Sequence, residues 1–269
     1  MITSNNNAKV KQVVQWQTKA KERRKDHVFL AEGIRMCEEA PVKNVREVYL
    51  TEELEQKIRQ NAQNRDTAFW DKLQQTGYET VSTEVFAKMA DTQTPQGILT
   101  VLEQPVYDLT QLLEQPDPLF LMLENLQDPG NLGTMIRTGE GAGITGVIMN
   151  NQTVDIFNPK TIRATMGSIF RVPFVYVPDL ALVLEQMHAK GIYTYAAHLK
   201  GQEYYDSFSF REPTAFLIGN EGNGLSKEIS DQAGQYLKIP MEGRVESLNA
   251  SIAAALLMYE AHRQRSARL

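Results

Sequence analysis

The sequence predicts a two-domain α/β protein whose larger, C-terminal domain has a mostly parallel sheet. First, the chain has 269 residues, 42% of them hydrophobic and 23% charged, which suits two globular domains with buried cores. Second, short apolar runs alternate with helical stretches along most of the chain, as in α/β folds. Third, residues 104–118 contain Pro105, Pro116 and Pro118, which is typical of a linker. We therefore expect domains at 1–103 and 119–269, joined by a linker at 104–118.

The periodicity of apolar residues predicts the elements in order. In the first, smaller α/β domain, we expect helices at 9–21, 33–39 and most of 52–75, and strands at 27–31, 47–50, 78–81 and 97–102. In the second domain, we expect strands at 119–123, 146–149, 172–177, 192–196, 215–218 and 236–239, and helices at 132–142, 179–190 and 248–263. Uninterrupted apolar runs such as 119–123 indicate strands buried on both faces, as in parallel sheets.

Composition excludes several classes of protein. The longest apolar run, residues 252–258, is much shorter than the roughly 20 residues of a membrane span. The polar N-terminus lacks the pattern of a secretory signal. The single cysteine, Cys37, excludes an internal disulfide and a cysteine zinc cluster, and the histidines show no metal-ligand spacing. We therefore expect a cytoplasmic protein that binds no metal.

The formal net charge of −5 hides an uneven distribution of charge. Positive side chains between residues 9 and 25 are Lys9, Lys11, Lys19, Lys21, Arg23, Arg24 and Lys25, against the single acid Glu22. The C-terminal tail adds Arg263, Arg265 and Arg268. Such blocks attract nucleic-acid phosphates even in an acidic protein. A solvated helix face explains the same residues equally well.

Gly141, Gly143 and Gly146 form a G-x-G-x-x-G pattern, which suggests a dinucleotide-dependent oxidoreductase. In such enzymes the glycines follow a strand and open a helix, and an acid lies about 20 residues further on. Here the glycines end a predicted helix and precede a strand, and no acid stands at that distance. We interpret them as the C-terminal cap of a helix.

Three other segments are more informative. Residues 124–137 follow a buried strand, at the edge where open α/β sheets bind ligands. In this segment Asn131 suits a helix N-cap or a site residue. Arg137 stands among small and apolar residues, where an arginine has either a specific anion ligand or a structural salt bridge.

The second segment, residues 216–226, runs from a strand into a glycine-rich loop that lets the backbone approach a ligand. It has no lysine in the P-loop position, and Glu221 is either a turn residue or a site carboxylate. In the third segment, residues 239–251, Ser247 can cap the last helix, whose small residues allow close packing.

In this order and spacing, the three segments resemble the three motifs of the SpoU (TrmH-like) branch of the SPOUT RNA methyltransferases. The residues that carry the resemblance are Asn131, Gly133 and Arg137, then Gly219, Asn220, Glu221 and Gly224, then Ile239, Pro240, Met241, Ser247, Leu248 and Asn249. Residues 29–35 resemble the start of the family's N-terminal substrate-binding domain, which has an L30e-like fold.

The resemblance implies a deep trefoil knot in the C-terminal SPOUT domain, S-adenosylmethionine as cofactor, and a homodimer with the active site near the subunit interface. The implied cofactor-binding residues are Ala196, Ala197, Gly219, Asn220, Ile239, Met241, Leu248 and Asn249. The implied catalytic residues are Arg137, Asn131, Glu221, Ser247 and Asn249. Because an arginine almost never gives up its proton, we expect Arg137 to anchor a phosphate and stabilise the developing alkoxide rather than to act as the base.

The implied activity is methylation of a ribose 2'-hydroxyl of RNA, with 23S ribosomal RNA favoured by the separate L30e-like domain. In that domain Arg23, Arg24 and Arg35 are candidate RNA contacts. Two alternatives stay open. One is a transfer-RNA ribose methyltransferase, and the other is a catalytically silent RNA-binding or ribosome-assembly factor.

Overall fold

A computed structural model describes residues 1–64 and 67–266; Arg268 of the tail lies outside these ranges. The helices are α1 (Ala8–Thr18), α2 (Ala20–Asp26), α3 (Ile34–Glu39), α4 (Glu52–Asn64), α5 (Ala68–Thr76), α6 (Thr83–Met89), α7 (Leu109–Leu113), α8 (Pro129–Ala142), α9 (Pro159–Thr165), α10 (Leu180–Ala189), α11 (Lys227–Gln232) and α12 (Ala250–Ser266). The strands are β1 (Val28–Glu32), β2 (Val45–Thr51), β3 (Glu79–Val81), β4 (Ile98–Glu103), β5 (Leu119–Leu123), β6 (Gly146–Asn150), β7 (Phe174–Val177), β8 (Tyr193–Ala197), β9 (Thr214–Ile218) and β10 (Gln235–Leu237).

The chain forms two compact units. One contains Met1–Pro105 with Asp155–Phe170, and the other contains Val106–Val154 with Arg171–Leu269. Residues 155–170 lie within the range expected for the second domain, yet they pack in the first unit. The guanidinium of Arg23 pairs with Asp155 at 2.7 Å, and the ring of Phe29 lies 5.0 Å from that of Phe157. These partners are far apart in sequence, so no local pattern predicts the contact.

The first unit is built on a four-stranded sheet in the order β1-β4-β2-β3. β4 is antiparallel to both β1 and β2, and β2 is parallel to β3. Alternate residues of β2 point to opposite faces. Tyr49 packs with side chains of α1 and α6 on one face, whereas Leu50 packs with side chains of α4 and α5 on the other. The sheet is therefore buried between two layers of helices.

The second unit contains a parallel six-stranded sheet in the order β10-β8-β9-β5-β6-β7. The six strands predicted for this part of the chain are all present, and the run at 119–123 is fully buried as β5. After β5 the chain continues to β6 on one side, and later strands join on the other side of β5 through β9. Ligands of open α/β sheets bind at the carboxyl ends of strands where the order reverses in this way.

Two helices differ from the sequence-based expectation, and one interpretation is confirmed. The helix expected at 9–21 is interrupted at Lys19, which has an extended backbone between α1 and α2. The helix expected over 52–75 is divided into α4 and α5. The interpretation of the G-x-G-x-x-G pattern is confirmed, because Gly143 ends α8 in the left-handed conformation with φ of 75°.

No helix in the part of the chain that the structure describes is long and apolar enough to cross a bilayer. Among the same residues, no group of three or more His, Cys, Asp or Glu side chains is arranged to hold a metal ion.

Candidate active site

A cavity of about 260 Å³ opens in the second unit at the carboxyl ends of β8, β9 and β10. Of the residues expected to bind a cofactor, those that line it are Ala197, Gly219, Asn220, Ile239, Met241 and Leu248. Ala196 does not line it, because its side chain points into the hydrophobic core. Asn249 also lies outside the cavity lining and is hydrogen-bonded elsewhere.

Several residues that line the cavity were not among the expected cofactor ligands. They include Leu199, Ile218, Asn223, Leu237 and Lys238. His198, whose ring stacks on Tyr236 at 5.0 Å, also lines the cavity. Leu237 and Ile218 are strand-terminal apolar residues, and their signal in the sequence is only that of a buried strand. Because parallel strands end at the same edge of a sheet, the predicted strand ends were the one signal in the sequence that these residues would lie near the cavity.

The loop from Gly219 to Gly224 forms one wall of the cavity. Its two ends are joined by a pair of backbone hydrogen bonds: Asn220 N–H donates to the Gly224 carbonyl at 3.0 Å, and Gly224 N–H donates to the Asn220 carbonyl at 2.9 Å. A Cβ at Gly219 would lie only 2.0 Å from the carbonyl carbon of Gly224. Glycine is therefore required at position 219 by the close approach of backbone to backbone.

Helix α8 begins beside this loop, and its cap corrects one expectation. Asp128, not Asn131, is the N-cap: its side chain accepts a hydrogen bond from Asn131 N–H at 2.7 Å, and Pro129 occupies the first helical position. This is the usual arrangement at a helix start, because proline needs no amide partner there. Asn131 lies in the first turn, where its side chain is free to contact other segments.

The Glu221 carboxylate binds the start of α8. Its Oε1 accepts from Asp128 N–H at 2.9 Å and from the Asn131 side-chain amide at 3.1 Å, and its Oε2 accepts from Gln127 N–H at 3.1 Å. Partial burial raises the pKa of Glu221, but the hydrogen bonds from Asp128, Gln127 and Asn131 outweigh it and hold that pKa below its ordinary value. Glu221 is therefore a carboxylate that joins the second segment to the first.

Asn249 joins the third segment to the first. Its side-chain amide donates to Asn131 Oδ1 at 3.0 Å, and its own Oδ1 accepts from Ser251 N–H at 2.8 Å. The second contact caps α12, so the expectation that Ser247 caps this helix is wrong: α12 begins only at Ala250. Ser247 is exposed and lines the cavity instead.

Arg137 lies less than two turns beyond Asn131 along α8 and is exposed. No salt bridge or hydrogen bond joins its guanidinium to any residue within 1–64 or 67–266. The structural salt bridge considered for this arginine is therefore not formed with the described residues. Its guanidinium is free to bind an anion from solution.

The candidate RNA contacts of the first unit differ in exposure. Arg23 is 3% exposed, and it donates to the carbonyl of Trp16 at 2.7 Å as well as pairing with Asp155. Its role is therefore structural, and we exclude it from the RNA-binding residues. Arg24 is exposed, and Arg35 is exposed and pairs with Glu39 on its own helix at 3.0 Å.

Residues 118–259 match the SpoU rRNA methylase family, and residues 7–100 match the MRM3-like substrate binding domain. The chain belongs to the SpoU rRNA methylase family. The resemblance inferred from the three motifs is thereby confirmed, and so is the class of RNA methyltransferase. Among curated relatives, the 23S rRNA (guanosine(2553)-2'-O)-methyltransferase RlmP of Bacillus subtilis is 34% identical over 263 residues, which are 96% of this chain and 97% of the relative.

Solved structures of the family resemble the whole chain. The AdoMet bound rRNA methyltransferase from Sinorhizobium meliloti is 30% identical and superposes with a TM-score of 0.84 over 97% of each chain. The SpoU methyltransferase AviRb from Streptomyces viridochromogenes is 27% identical, with a TM-score of 0.83 over 97% of this chain and 99% of its own. The α/β fold class with a smaller N-terminal domain is therefore confirmed.

Proposed function

We propose that this protein transfers a methyl group from S-adenosylmethionine to a ribose 2'-hydroxyl of 23S ribosomal RNA in the cytoplasm. The observation that carries the proposal is the meeting of the three motif segments: Glu221 and Asn249 both hydrogen-bond to Asn131 beside the cavity. Similarity to a 23S rRNA methyltransferase over nearly the full length of both chains supports ribosomal RNA as the substrate. We assign RNA binding to residues 1–103 and catalysis to residues 119–269, joined by the linker at 104–118.

The cavity fits the proposed cofactor. Its walls combine apolar side chains, such as Ile218 and Leu248, with exposed backbone of the Gly219–Gly224 loop, which suits a ligand with both a purine ring and polar substituents. Gly219 itself adds no side chain to this wall, and its close packing against Gly224 leaves no room for one. When bound, the cofactor supplies a methyl group attached to a sulfonium. Gly219, Asn220, Ile239, Met241 and Leu248 would hold it.

We assign to Arg137 the phosphate next to the target ribose and the developing negative charge on the ribose oxygen. An arginine keeps its proton at neutral pH, so it stabilises the alkoxide without acting as the base. Glu221 is a poor candidate for the base. Its lowered pKa makes the carboxylate a weak proton acceptor, and three hydrogen bonds already occupy its oxygens. The proton then passes to the RNA phosphate or to water.

We further propose that the protein acts as a homodimer through α12. Ile252, Leu256 and Tyr259 lie on one face of this helix and are 50%, 37% and 48% exposed. α12 packs against α8, and a Cβ at Gly141 would lie 2.9 Å from the Tyr259 hydroxyl. Arg137 lies one turn before Gly141 on the same face of α8. A second copy on this face would therefore border on Arg137.

The test is methyl transfer from labelled S-adenosylmethionine to total bacterial ribosomal and transfer RNA, followed by nuclease digestion and nucleoside analysis. We expect a labelled 2'-O-methylnucleoside in the 23S rRNA pool. Label only in transfer RNA would replace the proposed substrate with the alternative one. Failure to bind the cofactor would contradict the proposed reaction and favour a silent RNA-binding factor.

A further inference from the structure

Asn150 lies outside all three motif segments, at the end of β6, and it makes an unusually complete set of hydrogen bonds. The residue is buried, with 9% of its surface exposed. Its Oδ1 accepts from Asn125 N–H at 3.0 Å and from the Thr153 hydroxyl at 2.9 Å, and its Nδ2 donates to Asn125 Oδ1 at 2.8 Å. Asn150 thus holds both the backbone and the side chain of Asn125.

Asn125 has a backbone conformation that needs such support. It follows β5 by two residues, and its φ of 55° lies in the left-handed region, which asparagine tolerates better than most residues. This turn directs the Asn125 carbonyl toward the motif loops. The carbonyl accepts from the side-chain amide of Asn220 at 2.9 Å and from that of Gln127 at 2.9 Å.

Asn220 links the Asn125 turn to the cavity wall. While its Nδ2 is held by Asn125, its Oδ1 accepts from Gly222 N–H at 2.9 Å and from Asn223 N–H at 3.0 Å. These bonds shape the loop from Gly219 to Gly224. A continuous series of hydrogen bonds therefore runs from β6 through Asn125 to the loop that lines the cavity, although β6 itself lies on the far side of β5 from the cavity.

We propose that Asn150 is a positioning residue for the cofactor site: through Asn125 and Asn220 it sets the place of the Gly219–Gly224 loop and so the affinity for S-adenosylmethionine. This inference rests on the proposed function, since it concerns the same cavity. Removal of the Asn150 side chain leaves the Asn125 turn without its partners, and the Asn220 amide then loses its fixed acceptor. The loop would have to be ordered when the cofactor binds, which lowers affinity.

The experiment measures the Kd for S-adenosylmethionine by calorimetry on the full chain, at a temperature where circular dichroism shows every variant folded. We expect Asn150→Ala to raise Kd about tenfold, equivalent to about 1.4 kcal/mol. The matched control is Gln264→Ala. Gln264 is also a 9% exposed amide of the second unit that bonds backbone groups, namely Phe210 N–H and the Phe208 carbonyl. Gln264→Ala should lower the melting temperature about as much as Asn150→Ala does, but it should change the Kd for S-adenosylmethionine by less than about twofold.

A double-mutant cycle tests whether Asn150 acts through Asn220. If it does, Asn150→Ala should add less than about a twofold change in Kd to Asn220→Ala, because the acceptor of the Asn220 amide is then irrelevant. If Asn150→Ala does not fold, Asn150→Asp, which keeps the acceptor oxygen but loses the donor to Asn125, should raise Kd in the same direction.

The outcomes separate the two proposals. Tight binding by the unchanged protein, with Asn150→Ala and Gln264→Ala equal in Kd, would overturn the positioning role alone. Independent, additive effects of the Asn150 and Asn220 substitutions would overturn it as well. Absence of binding by the unchanged protein would overturn the proposed function and this inference with it.

Discussion

Replacement of Gly219 by alanine tests the cavity wall on which the proposed function depends. A Cβ at this position would lie 2.0 Å from the carbonyl carbon of Gly224 and 2.1 Å from the amide nitrogen of Leu225. Non-bonded carbon atoms stay about 3.5–4.0 Å apart. Both neighbours are backbone atoms that cannot rotate away, so the chain at 224–225 must retreat by more than about 1 Å.

Such a retreat breaks the two backbone hydrogen bonds between Asn220 and Gly224, which measure 3.0 and 2.9 Å. At about 1 kcal/mol net for each bond, the native loop becomes less favourable by about 2 kcal/mol. If the cofactor requires the native loop, Kd should rise about 30-fold. The melting temperature should fall by about 4–8 °C for a chain of this size.

The assay is calorimetric titration with S-adenosylmethionine, together with thermal unfolding followed by circular dichroism. Gly222→Ala is the matched control in the same loop, because its Cβ would lie 3.6 Å from Asn220 Oδ1, which is an ordinary contact. We expect this variant to bind within about threefold of the unchanged protein. Normal affinity of Gly219→Ala, or equal damage by both substitutions, would refute the reasoning from backbone contact.

Three further predictions concern charged side chains. Arg137→Ala should reduce methyl transfer by about 100-fold or more while the Kd for S-adenosylmethionine changes little, and loss of both would count against its assigned role. Arg23→Met leaves Asp155 without its buried partner and should lower the free energy of unfolding by about 3 kcal/mol; the exposed Arg24→Met is the control, and equal stability of the two variants would contradict a structural role for Arg23. The pKa of Glu221 is lowered in the folded protein. The ionised side chain therefore stabilises the folded state fully above its ordinary pKa, and this contribution is lost as pH falls through the lowered value. Glu221→Gln should therefore cost at most about 1 kcal/mol at pH 7, given the exposure of the side chain, and the cost should shrink as pH falls below the ordinary pKa of glutamate; urea unfolding at neutral and at acidic pH measures this, and a cost that does not change with pH would disprove it.

The parts of the fold that depend on local pattern were predictable from the sequence. An apolar run such as 119–123 is typical of a strand buried on both faces, and β5 occupies those residues. The glycine that ends α8 was predictable because its position after an apolar helix requires a left-handed residue. The cap of α8 was missed although a local signal existed: an acid directly before a proline, Asp128-Pro129, is a stronger helix start than Asn131.

The features that were missed depend on partners distant in sequence. Arg23 stands in a run of basic residues and has the same local surroundings as Arg24. The contact with Asp155, 132 positions away, is the part of the Arg23 environment that no local pattern predicts; Arg23 is buried and Arg24 is exposed. Asn150 likewise ends an ordinary strand, and its contact with Asn125 joins the ends of two strands that become neighbours only in the parallel sheet.

The polar groups at the site favour catalysis by positioning over catalysis by proton transfer. Asn131 is held by Glu221 and Asn249, and the oxygens of Glu221 are themselves occupied by three N–H groups. Because these side chains hydrogen-bond to one another, they fix the start of α8 and with it the direction in which Arg137 projects. Transfer of a methyl group requires the attacking oxygen, the carbon and the sulfur to be nearly in line, and correct alignment alone can supply several kcal/mol of the barrier. Under the proposed function, a site built from mutually bonded amides and the ionised Glu221 carboxylate would meet that requirement without a side chain that accepts the proton. Arg137, which has no partner among the described residues, would stabilise the developing charge.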